Sequence, residues 1–304
     1  MKIALIFPGY DSQDPKMSKD LYEHYPVVKK YFKEASDHMK IDFKELCFSS
    51  NSELNQIKNA YLSIYVTSCA LYALLAEHDI AISYVSGYDT GQYAALCAAD
   101  AISFTQGLDL LNEYANEYTD LLAHNKYDII KIYGLTETKL PEFLTKQSTI
   151  ASYQSRVQHL VSGTLDGIAD IRLKLRNASG VTLYDEGVGL GLNSELMNPV
   201  VEKFVPTLRK STFHDLAIPV ISNVNGALIT QGEVIKEEII KLINSPLAWD
   251  KVVDALSDAD LVIGMGPQAN LLNLAIEKYP SKFIRSIANA ADVEKIQKLL
   301  GILS

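Results

Sequence analysis

The sequence predicts an α/β fold in which a large domain built on a parallel sheet carries a small inserted subdomain. Short apolar segments alternate with longer amphipathic ones through most of the chain, which is typical of a parallel sheet flanked by helices. Between about residues 127 and 192 the segments become shorter and this pattern changes. The chain has 304 residues, more than the usual domain of about 100–200 residues, which leaves room for an insert.

Five short apolar segments are the predicted strands of the large domain. They are residues 2–7, 82–86, 219–222, 261–265 and 283–286. Residues 61–77 are apolar on most sides of a helix, which predicts a buried helix. A further helix is predicted after Ser103, where Ser103 and Gln106 have the spacing of a capping box.

The insert is predicted to be ferredoxin-like, with short strands around two modest helices. The predicted strands include residues 129–133, 159–162 and 181–184, and the predicted helices are residues 139–145 and 165–177. We assign residues 1–126 and 195–304 to the large domain and residues 127–194 to the small subdomain. A cleft between two such units is a common place for a binding site.

Composition narrows the class of function. Hydrophobic residues make up 48% of the chain, charged residues 21%, and the formal net charge is −9. Such a chain can bury a core, and its acidic balance argues against binding to nucleic acids or anionic membranes. The apolar runs are short of the roughly 18 residues of a membrane span, and we expect a cytoplasmic protein. Cys47, Cys69 and Cys97 lack metal-ligand spacing, so we predict no metal, cofactor or disulfide.

The turn between the second strand and an alanine-rich helix is the most informative segment. The sequence VSGYDTGQYAAL at residues 85–96 places Gly87 and Gly91 on either side of Asp89. Glycines at these positions permit the strained turn of a nucleophile elbow, the feature of α/β-hydrolase-like domains that exposes a central side chain. Without other evidence, Gly-x-Asp-x-Gly also fits an ordinary strand-to-helix turn.

Several further segments, in the same order along the chain, resemble the malonyl-CoA:acyl carrier protein transacylase family. They are Phe7-Pro8-Gly9, Ser12-Gln13, Gly91-x-Tyr93-Ala94-Ala95-Leu96, Ala101-Ile102-Ser103-Phe104, Ala151-Ser152-Tyr153-Gln154-Ser155, Val161-Ser162-Gly163, Leu196-Met197-x-Pro199, Pro219-Val220-Ile221-Ser222-Asn223-Val224, Pro246-x-x-Trp249 and Gly266-Pro267-x-x-x-Leu271. The resemblance covers essentially residues 1–290. It implies a context in fatty-acid or polyketide biosynthesis, an acyl carrier protein or biosynthetic enzyme as partner, and a monomer when free.

The resemblance also implies where the catalytic side chains should lie. In the family, a serine at the elbow carries the acyl group and a distant histidine activates it. Asp89 stands at the serine position here, and Asn193 stands at the histidine position in Asn193-Ser194-Glu195-Leu196-Met197. Asparagine cannot act as a general base, so these two positions hold neither the serine nor the histidine that acyl-serine transfer needs.

Tyrosines stand at the other site positions that the resemblance implies. Tyr114 replaces the arginine that pairs with the malonyl carboxylate, and Tyr10 replaces an early glutamine at the oxyanion hole. Tyr88 replaces the histidine before the serine, and Tyr61 falls near a second glutamine position. Together with Thr90 these tyrosines define the predicted pocket, although any single one could be an ordinary cleft residue. We expect them to fill the acyl pocket, with at least one phenol about 2.5–3.0 Å from the Asp89 carboxylate.

Two hypotheses about function follow. In the first, the protein is a homologue with a degenerate site that transfers no acyl group and binds a carrier protein or partner enzyme. Binding of malonyl-CoA itself is doubtful, because Asp89 would repel its carboxylate and Tyr114 is neutral. In the second, the protein is an acyltransferase or acyl hydrolase with altered chemistry that uses Asp89.

Overall fold

The computed structural model describes residues 1–49, 52–186, 193–266 and 269–302. Its strands are β1 (Ile3–Phe7), β2 (Tyr84–Gly87), β3 (Tyr127–Tyr133), β4 (Ser148–Tyr153), β5 (Gln158–Thr164), β6 (Thr182–Asp185), β7 (Val220–Ile221), β8 (Leu228–Ile229), β9 (Leu247–Ala248), β10 (Leu261–Gly264) and β11 (Phe283–Ser286). Its helices are α1 (Lys19–His24), α2 (Pro26–Met39), α3 (Phe43–Phe48), α4 (Ile57–Ala76), α5 (Gly91–Ala98), α6 (Phe104–His124), α7 (Leu165–Leu175), α8 (Asn198–Lys210), α9 (Gly232–Leu242), α10 (Trp249–Ala255), α11 (Ala269–Lys278) and α12 (Ala290–Leu299). Short 3-10 turns occur at Ser52–Asn55, Leu140–Glu142, Glu195–Met197 and Leu256–Asp258.

A six-stranded sheet in the order β11-β10-β1-β2-β7-β8 forms the centre of the large domain. Neighbouring strands are parallel from β11 to β7, and β8 pairs antiparallel with β7. Every residue of β1 is buried, as expected for a central parallel strand with helices on both faces. The predicted α/β class is confirmed, and all five predicted strands are present, with no end shifted by more than two residues.

Helix α4 is the central helix of the larger core cluster. It begins at Ile57, four residues before the predicted start, and packs against α2, α5 and α6. It is the one helix in the described part of the chain that is long and apolar enough to cross a membrane. However, 78% of its apolar window is buried inside the protein, which is the burial of a core helix.

A second sheet, in the order β6-β3-β5-β4-β9, forms the small subdomain. In the part β6-β3-β5-β4 of this sheet, neighbouring strands are antiparallel, and this order is that of a ferredoxin-like unit. Helix α7 packs its Ile168 and Ile171 against these strands. Strand β9 comes from a much later part of the chain and pairs parallel with β4. The second sheet therefore includes residues beyond the predicted insert, and the boundary at residue 194 stays a prediction.

Two elements of the insert differ from the prediction. The predicted helix at residues 139–145 is only the 3-10 turn Leu140–Glu142. The backbone N–H groups of Phe143 and Leu144 donate to the carbonyls of Leu140 and Pro141, three residues earlier, which is the bonding of a short 3-10 turn. Strand β4 was not assigned from the sequence, because half of its residues are serine or threonine and its apolar alternation is weak.

The N-terminus of α6 confirms the serine half of the predicted capping box at Ser103, whereas the Gln106 side chain bonds elsewhere. The Ser103 hydroxyl accepts a hydrogen bond of 3.1 Å from the backbone N–H of Gln106. The Gln106 side chain donates to the Thr212 carbonyl at 2.9 Å, and thereby ties α6 to the segment after α8.

Replacing Ser103 with alanine is expected to lower the free energy of unfolding by about 1 kcal/mol, because one N–H at the start of α6 loses its acceptor. Urea unfolding followed by circular dichroism measures the change. Ser103→Asp keeps an acceptor at this position and should stay within a few tenths of a kcal/mol of wild type. Equal losses in the two variants would show that the cap is not the cause.

Candidate functional site

The site lies where the central strands of the large sheet end. The register places Phe7 of β1 beside Gly87 of β2 and Ile6 beside Gly264 of β10. The carboxyl ends of these parallel strands therefore meet at one edge of the sheet. In open α/β sheets this edge is where ligands bind.

The turn after β2 has the geometry of a nucleophile elbow. Asp89 stands at its apex with φ of 51°, in the left-handed region. The Gly91 N–H donates to the Tyr88 carbonyl at 2.9 Å, and the Gln92 N–H donates to the Asp89 carbonyl at 3.1 Å. A left-handed aspartate between a strand and a helix is a strained position, and such positions concentrate at functional sites.

Close approach of backbone explains the glycines on either side of Asp89. A Cβ at Gly87 would lie 2.0 Å from the Gly91 carbonyl carbon, and a Cβ at Gly91 would lie 2.4 Å from the Pro8 carbonyl oxygen. Gly9 is equally constrained, since its Cβ would lie 2.3 Å from the Tyr88 carbonyl oxygen. The elbow can turn this tightly against the loop after β1 only because these three positions are glycines and carry no Cβ.

Buried polar side chains that the sequence analysis did not identify hold the elbow. Gln92 Oε1 accepts from the Gly87 N–H at 2.7 Å, and Asn223 Nδ2 donates to the Gly87 carbonyl at 3.0 Å. Glu238 on α9 accepts from the Asn223 N–H at 2.9 Å. Gln92 could have been noticed as a polar residue in an otherwise small and apolar helix. Asn223 and Glu238 gave no such signal, because their partners are distant in sequence.

The Asp89 carboxylate is poorly solvated. Oδ1 accepts from Asn193 Nδ2 at 3.4 Å and the carboxylate also accepts from the Thr90 backbone N–H, whereas Oδ2 is buried and has no hydrogen-bond partner in the structure. Burial raises the pKa of Asp89 to about 6, and the bonds from Thr90 and Asn193 oppose this rise. At neutral pH the protein therefore holds a strained anion that burial disfavours.

Asn193 lies directly against the elbow. It is 5% exposed, has φ of 48°, and donates from Nδ2 to the Leu242 carbonyl at 2.9 Å as well as to Asp89. The structure thus brings together Asp89 and Asn193, which are 104 residues apart in sequence. The amide holds the carboxylate as a hydrogen-bond donor, and it has no nitrogen that can take up a proton at neutral pH.

Three of the four site tyrosines form a connected aromatic group. The Tyr10 and Tyr61 rings meet edge-on at 5.6 Å, and Tyr61 and Tyr114 are stacked at 5.9 Å. Burial raises the pKa of Tyr61 well above its usual value, and its hydroxyl has no hydrogen-bond partner in the structure. These rings pack between the loop after β1, α4 and α6.

The expected phenol bond to Asp89 is absent among the described residues. Tyr88 packs its ring edge-on against Trp249 at 5.0 Å, and its hydroxyl accepts from Gln154 Nε2 at 3.3 Å. These contacts with Trp249 and Gln154 hold the Tyr88 side chain away from the Asp89 carboxylate. Tyr61 is buried with a free hydroxyl, and Asn193 supplies the side-chain donor to Asp89 instead.

A cavity of about 30 Å³ adjoins the Asp89 side chain. It is lined by Asp89, Thr90, Gln92, Tyr93, Tyr114, Asn193, Ile239, Leu242, Ile243 and Leu247. This volume is on the scale of a water molecule and far below that of an acyl group. None of the six histidines, all of which the structure describes, lines it. Among the described residues there is also no cluster of three or more His, Cys, Asp or Glu that could hold a metal ion.

Comparison with known proteins assigns the family. A model described as acyl transferase domain matches residues 4–298. The chain belongs to the acyl transferase domain family. A malonyl CoA-acyl carrier protein transacylase of Bacillus subtilis (strain 168) is 28% identical to this acyl transferase domain over 99% of the chain and 97% of its own length. The resemblance drawn from the sequence is thereby confirmed.

Solved structures share the fold of this acyl transferase domain. An acyl carrier protein S-malonyltransferase from Vibrio cholerae O1 biovar eltor str. N16961 superimposes with a TM-score of 0.92 at 24% identity, over 97% of this chain and 100% of that one. A malonyl-transacylase in complex with its type II PKS acyl-carrier protein gives a TM-score of 0.92 at 22% identity, over 99% and 100% of the two chains. The order of strands around the elbow is therefore that of a known architecture.

Proposed function

We propose that this acyl transferase domain is a non-transferring homologue of the malonyl-CoA:acyl carrier protein transacylases that acts as a cytoplasmic accessory protein beside fatty-acid or polyketide assembly. The observation that carries the proposal is the contact between Asp89 Oδ1 and Asn193 Nδ2 at the apex of the elbow. These two side chains fill the positions where acyl transfer needs a hydroxyl nucleophile and a base.

The chemistry of a thioester substrate argues against acyl transfer through Asp89. Attack by its carboxylate would form an anhydride rather than an ester, and the departing thiolate would need a proton donor. Asn193 lies at hydrogen-bond distance from Asp89, and its amide is not a general acid at neutral pH. The pair therefore lacks the proton transfers on which a catalytic dyad depends.

The surroundings of Asp89 argue against malonyl binding in particular. An ionised Asp89 would repel the malonyl carboxylate, and Tyr114 offers a neutral ring in the cavity wall instead of a cation. The neighbouring cavity of about 30 Å³ would have to expand to admit an acyl chain. Both features support a protein that does not hold malonate at the elbow.

The proposed partner is an acyl carrier protein or an enzyme of the same pathway, bound by a monomer. Support comes from the relative with the same fold, whose structure is that of an acyl-carrier protein in complex with its malonyl-transacylase. That relative has the same fold over 99% of this chain, so the strands and helices that surround the elbow have counterparts in it.

Intact-mass measurement after incubation with malonyl-CoA, other acyl-CoAs and acyl carrier proteins tests the proposal. We expect no covalent adduct on the wild type and no transfer to carrier protein. Asp89→Ser alone should also fail, because the base position remains Asn193 and removal of several members of a catalytic unit is far from additive. Asp89→Ser combined with Asn193→His is the matched variant, and any recovered activity should require both changes.

Robust transfer by the wild type or by Asp89→Ser alone would contradict the proposal. Release of free CoA by the wild type, lost in Asp89→Asn, would instead favour the second hypothesis, a hydrolase built on Asp89. Titration of labelled acyl carrier protein with the wild type measures the binding activity separately. Binding without transfer is the result expected for an accessory protein.

A further inference from the structure

Three buried polar atoms at the elbow have no hydrogen-bond partner among the described residues. They are Asp89 Oδ2, Thr90 Oγ1 and Gln92 Nε2. Thr90 is 6% exposed and Gln92 is 2% exposed. Leaving a buried polar atom unpaired costs free energy, and most such atoms in native proteins bond either to protein or to ordered water. Three of them within four successive residues point to one shared partner.

The three residues line the same cavity of about 30 Å³ beside the elbow. A buried water molecule needs a cavity of roughly 10–15 Å³ and about two to four polar partners. The aliphatic residues in the cavity wall, Ile239, Leu242, Ile243 and Leu247, have no side-chain donor or acceptor to offer. The cavity is therefore large enough for a water molecule, and the elbow supplies three polar partners for it.

The donors and acceptors at the elbow fit water better than they fit a cation. Gln92 Oε1 accepts from the Gly87 N–H at 2.7 Å, so the free end of the Gln92 amide is Nε2, which is a donor. An ionised Asp89 Oδ2 is an acceptor, and the Thr90 hydroxyl can both donate and accept. A water molecule can donate to Asp89 and accept from Gln92 at once, whereas the amide N–H groups would repel a cation held by the carboxylate.

We propose that this cavity is a binding site for one water molecule, held by Asp89 Oδ2, Thr90 Oγ1 and Gln92 Nε2. The water donates to Asp89, accepts from Gln92 and makes its third bond to the Thr90 hydroxyl. It thereby gives Oδ2 the donor that the described side chains do not supply. The inference is independent of the proposed function, because it concerns the solvation of the elbow and not the transfer of an acyl group.

A bound water at this place would also hinder the entry of acyl groups. An acyl chain could occupy the cavity only by displacing the water. Its carbon atoms cannot donate to Asp89 or accept from Gln92, and displacing an ordered water without replacing its hydrogen bonds weakens binding. The water would therefore add to the small volume of the cavity in keeping acyl chains away from the elbow.

A crystal structure of the full-length wild type, at a resolution that shows ordered waters and from crystals soaked in rubidium chloride, tests the proposal. We expect one density peak in the cavity, about 2.5–3.2 Å from both Asp89 Oδ2 and Gln92 Nε2. The peak should carry no anomalous signal from rubidium, because water and not a monovalent cation occupies the site.

Thr90→Val removes the hydroxyl and keeps a side chain of similar shape. The Thr90 side chain makes no capping bond to α5, so the change removes no cap. Thr67→Val is the matched control, because Thr67 is 2% exposed and its hydroxyl is also unpartnered among the described residues, but it does not line the cavity. We expect the peak to weaken or disappear in Thr90→Val and to keep its wild-type density in Thr67→Val.

Titration of the Asp89 carboxyl carbon by NMR follows the same water in solution. A donor to the carboxylate favours its charged form, so loss of the water should raise the pKa of Asp89 in Thr90→Val. The pKa should be the same in Thr67→Val as in the wild type. Tyr93 and Tyr114, the other titratable residues of the cavity wall, stay neutral in this range because burial raises the pKa of each.

The wild-type crystal structure alone can overturn the proposal. It does so if the cavity shows no peak, or if the peak carries the rubidium signal. Where the wild type shows the peak and both variants fold, an unchanged peak in Thr90→Val together with an unchanged pKa of Asp89 would remove Thr90 from the site and also contradict the proposal as stated.

Discussion

Replacing Gly87 with alanine is expected to destabilise the protein by about 4 kcal/mol or more, enough to prevent folding of a marginally stable chain. The new Cβ would lie 2.0 Å from the Gly91 carbonyl carbon, 2.1 Å from its oxygen and 2.2 Å from the Gln92 nitrogen. All three are backbone atoms of the elbow, so no side chain can rotate away to relieve the clash. Urea unfolding, or the soluble yield if the variant does not fold, measures the effect.

Gly180→Ala is the matched control for this prediction. Gly180 has φ of 75°, but no atom lies within 4 Å of a Cβ built on it. Only the left-handed backbone should penalise alanine there, by about 1–2 kcal/mol. If the Gly87 and Gly180 variants lose the same stability, close packing at the elbow is not the cause.

Asp89→Asn is expected to stabilise the protein at pH 8 by up to about 3 kcal/mol, since each unit of pKa shift corresponds to about 1.4 kcal/mol. Burial raises the pKa of Asp89 from 3.8 to about 6, so the folded state binds the proton more tightly than the unfolded state does. Between pH 3.8 and about 6 the unfolded state loses its proton first, and wild-type stability falls as pH rises through this window. Asparagine keeps an acceptor for Asn193 without the charge.

The advantage of Asp89→Asn should therefore be full above about pH 6 and should vanish below about pH 4. Thermal unfolding of both proteins from pH 4 to pH 8 measures it. Asp120→Asn is the control for this window: a hydrogen bond from Lys203 lowers the pKa of Asp120 below 3.8, so the stability difference between that variant and the wild type should stay constant from pH 4 to pH 8. An Asp89→Asn difference that is independent of pH would show that the buried charge is not its origin.

Local patterns were enough to predict most of the fold. The strands of the large sheet are compact apolar runs between turn residues, and the glycines around Asp89 indicate a tight turn between strand and helix. Strand β4 was missed because its polar residues Ser148 and Ser152 are buried in a strand that pairs with β5 and β9, which a local pattern does not reveal. The helix predicted at residues 139–145 shows the same limit, since the structure has only the 3-10 turn Leu140–Glu142 there.

The sequence indicated part of the candidate site, but it missed Gln92, Asn223 and Glu238, which hold the elbow, and it did not give the contacts. The resemblance implied that Asp89 and Asn193 lie close together, whereas their spacing in the sequence does not predict this contact. The direction of Tyr88 depends on Trp249 and on Gln154 of the other sheet, so it is fixed by tertiary packing. The unpartnered Oδ2 of Asp89 is likewise a property of the assembled site.

Strand β9 has a consequence for the order in which the chain can assemble on the ribosome. Residues 127–185 contain the antiparallel strands of the second sheet, but the outer edge of β4 stays uncovered until Leu247 and Ala248 of β9 have been synthesised. One edge of β1 stays uncovered for longer, because Ile3 of β1 pairs with Leu261 of β10. During synthesis, the chain up to residue 246 therefore leaves one edge of β1 and one edge of β4 uncovered, and an open edge can pair with another chain. Nascent chains that stall before residue 247 should accordingly be the form of this protein that depends most on chaperones.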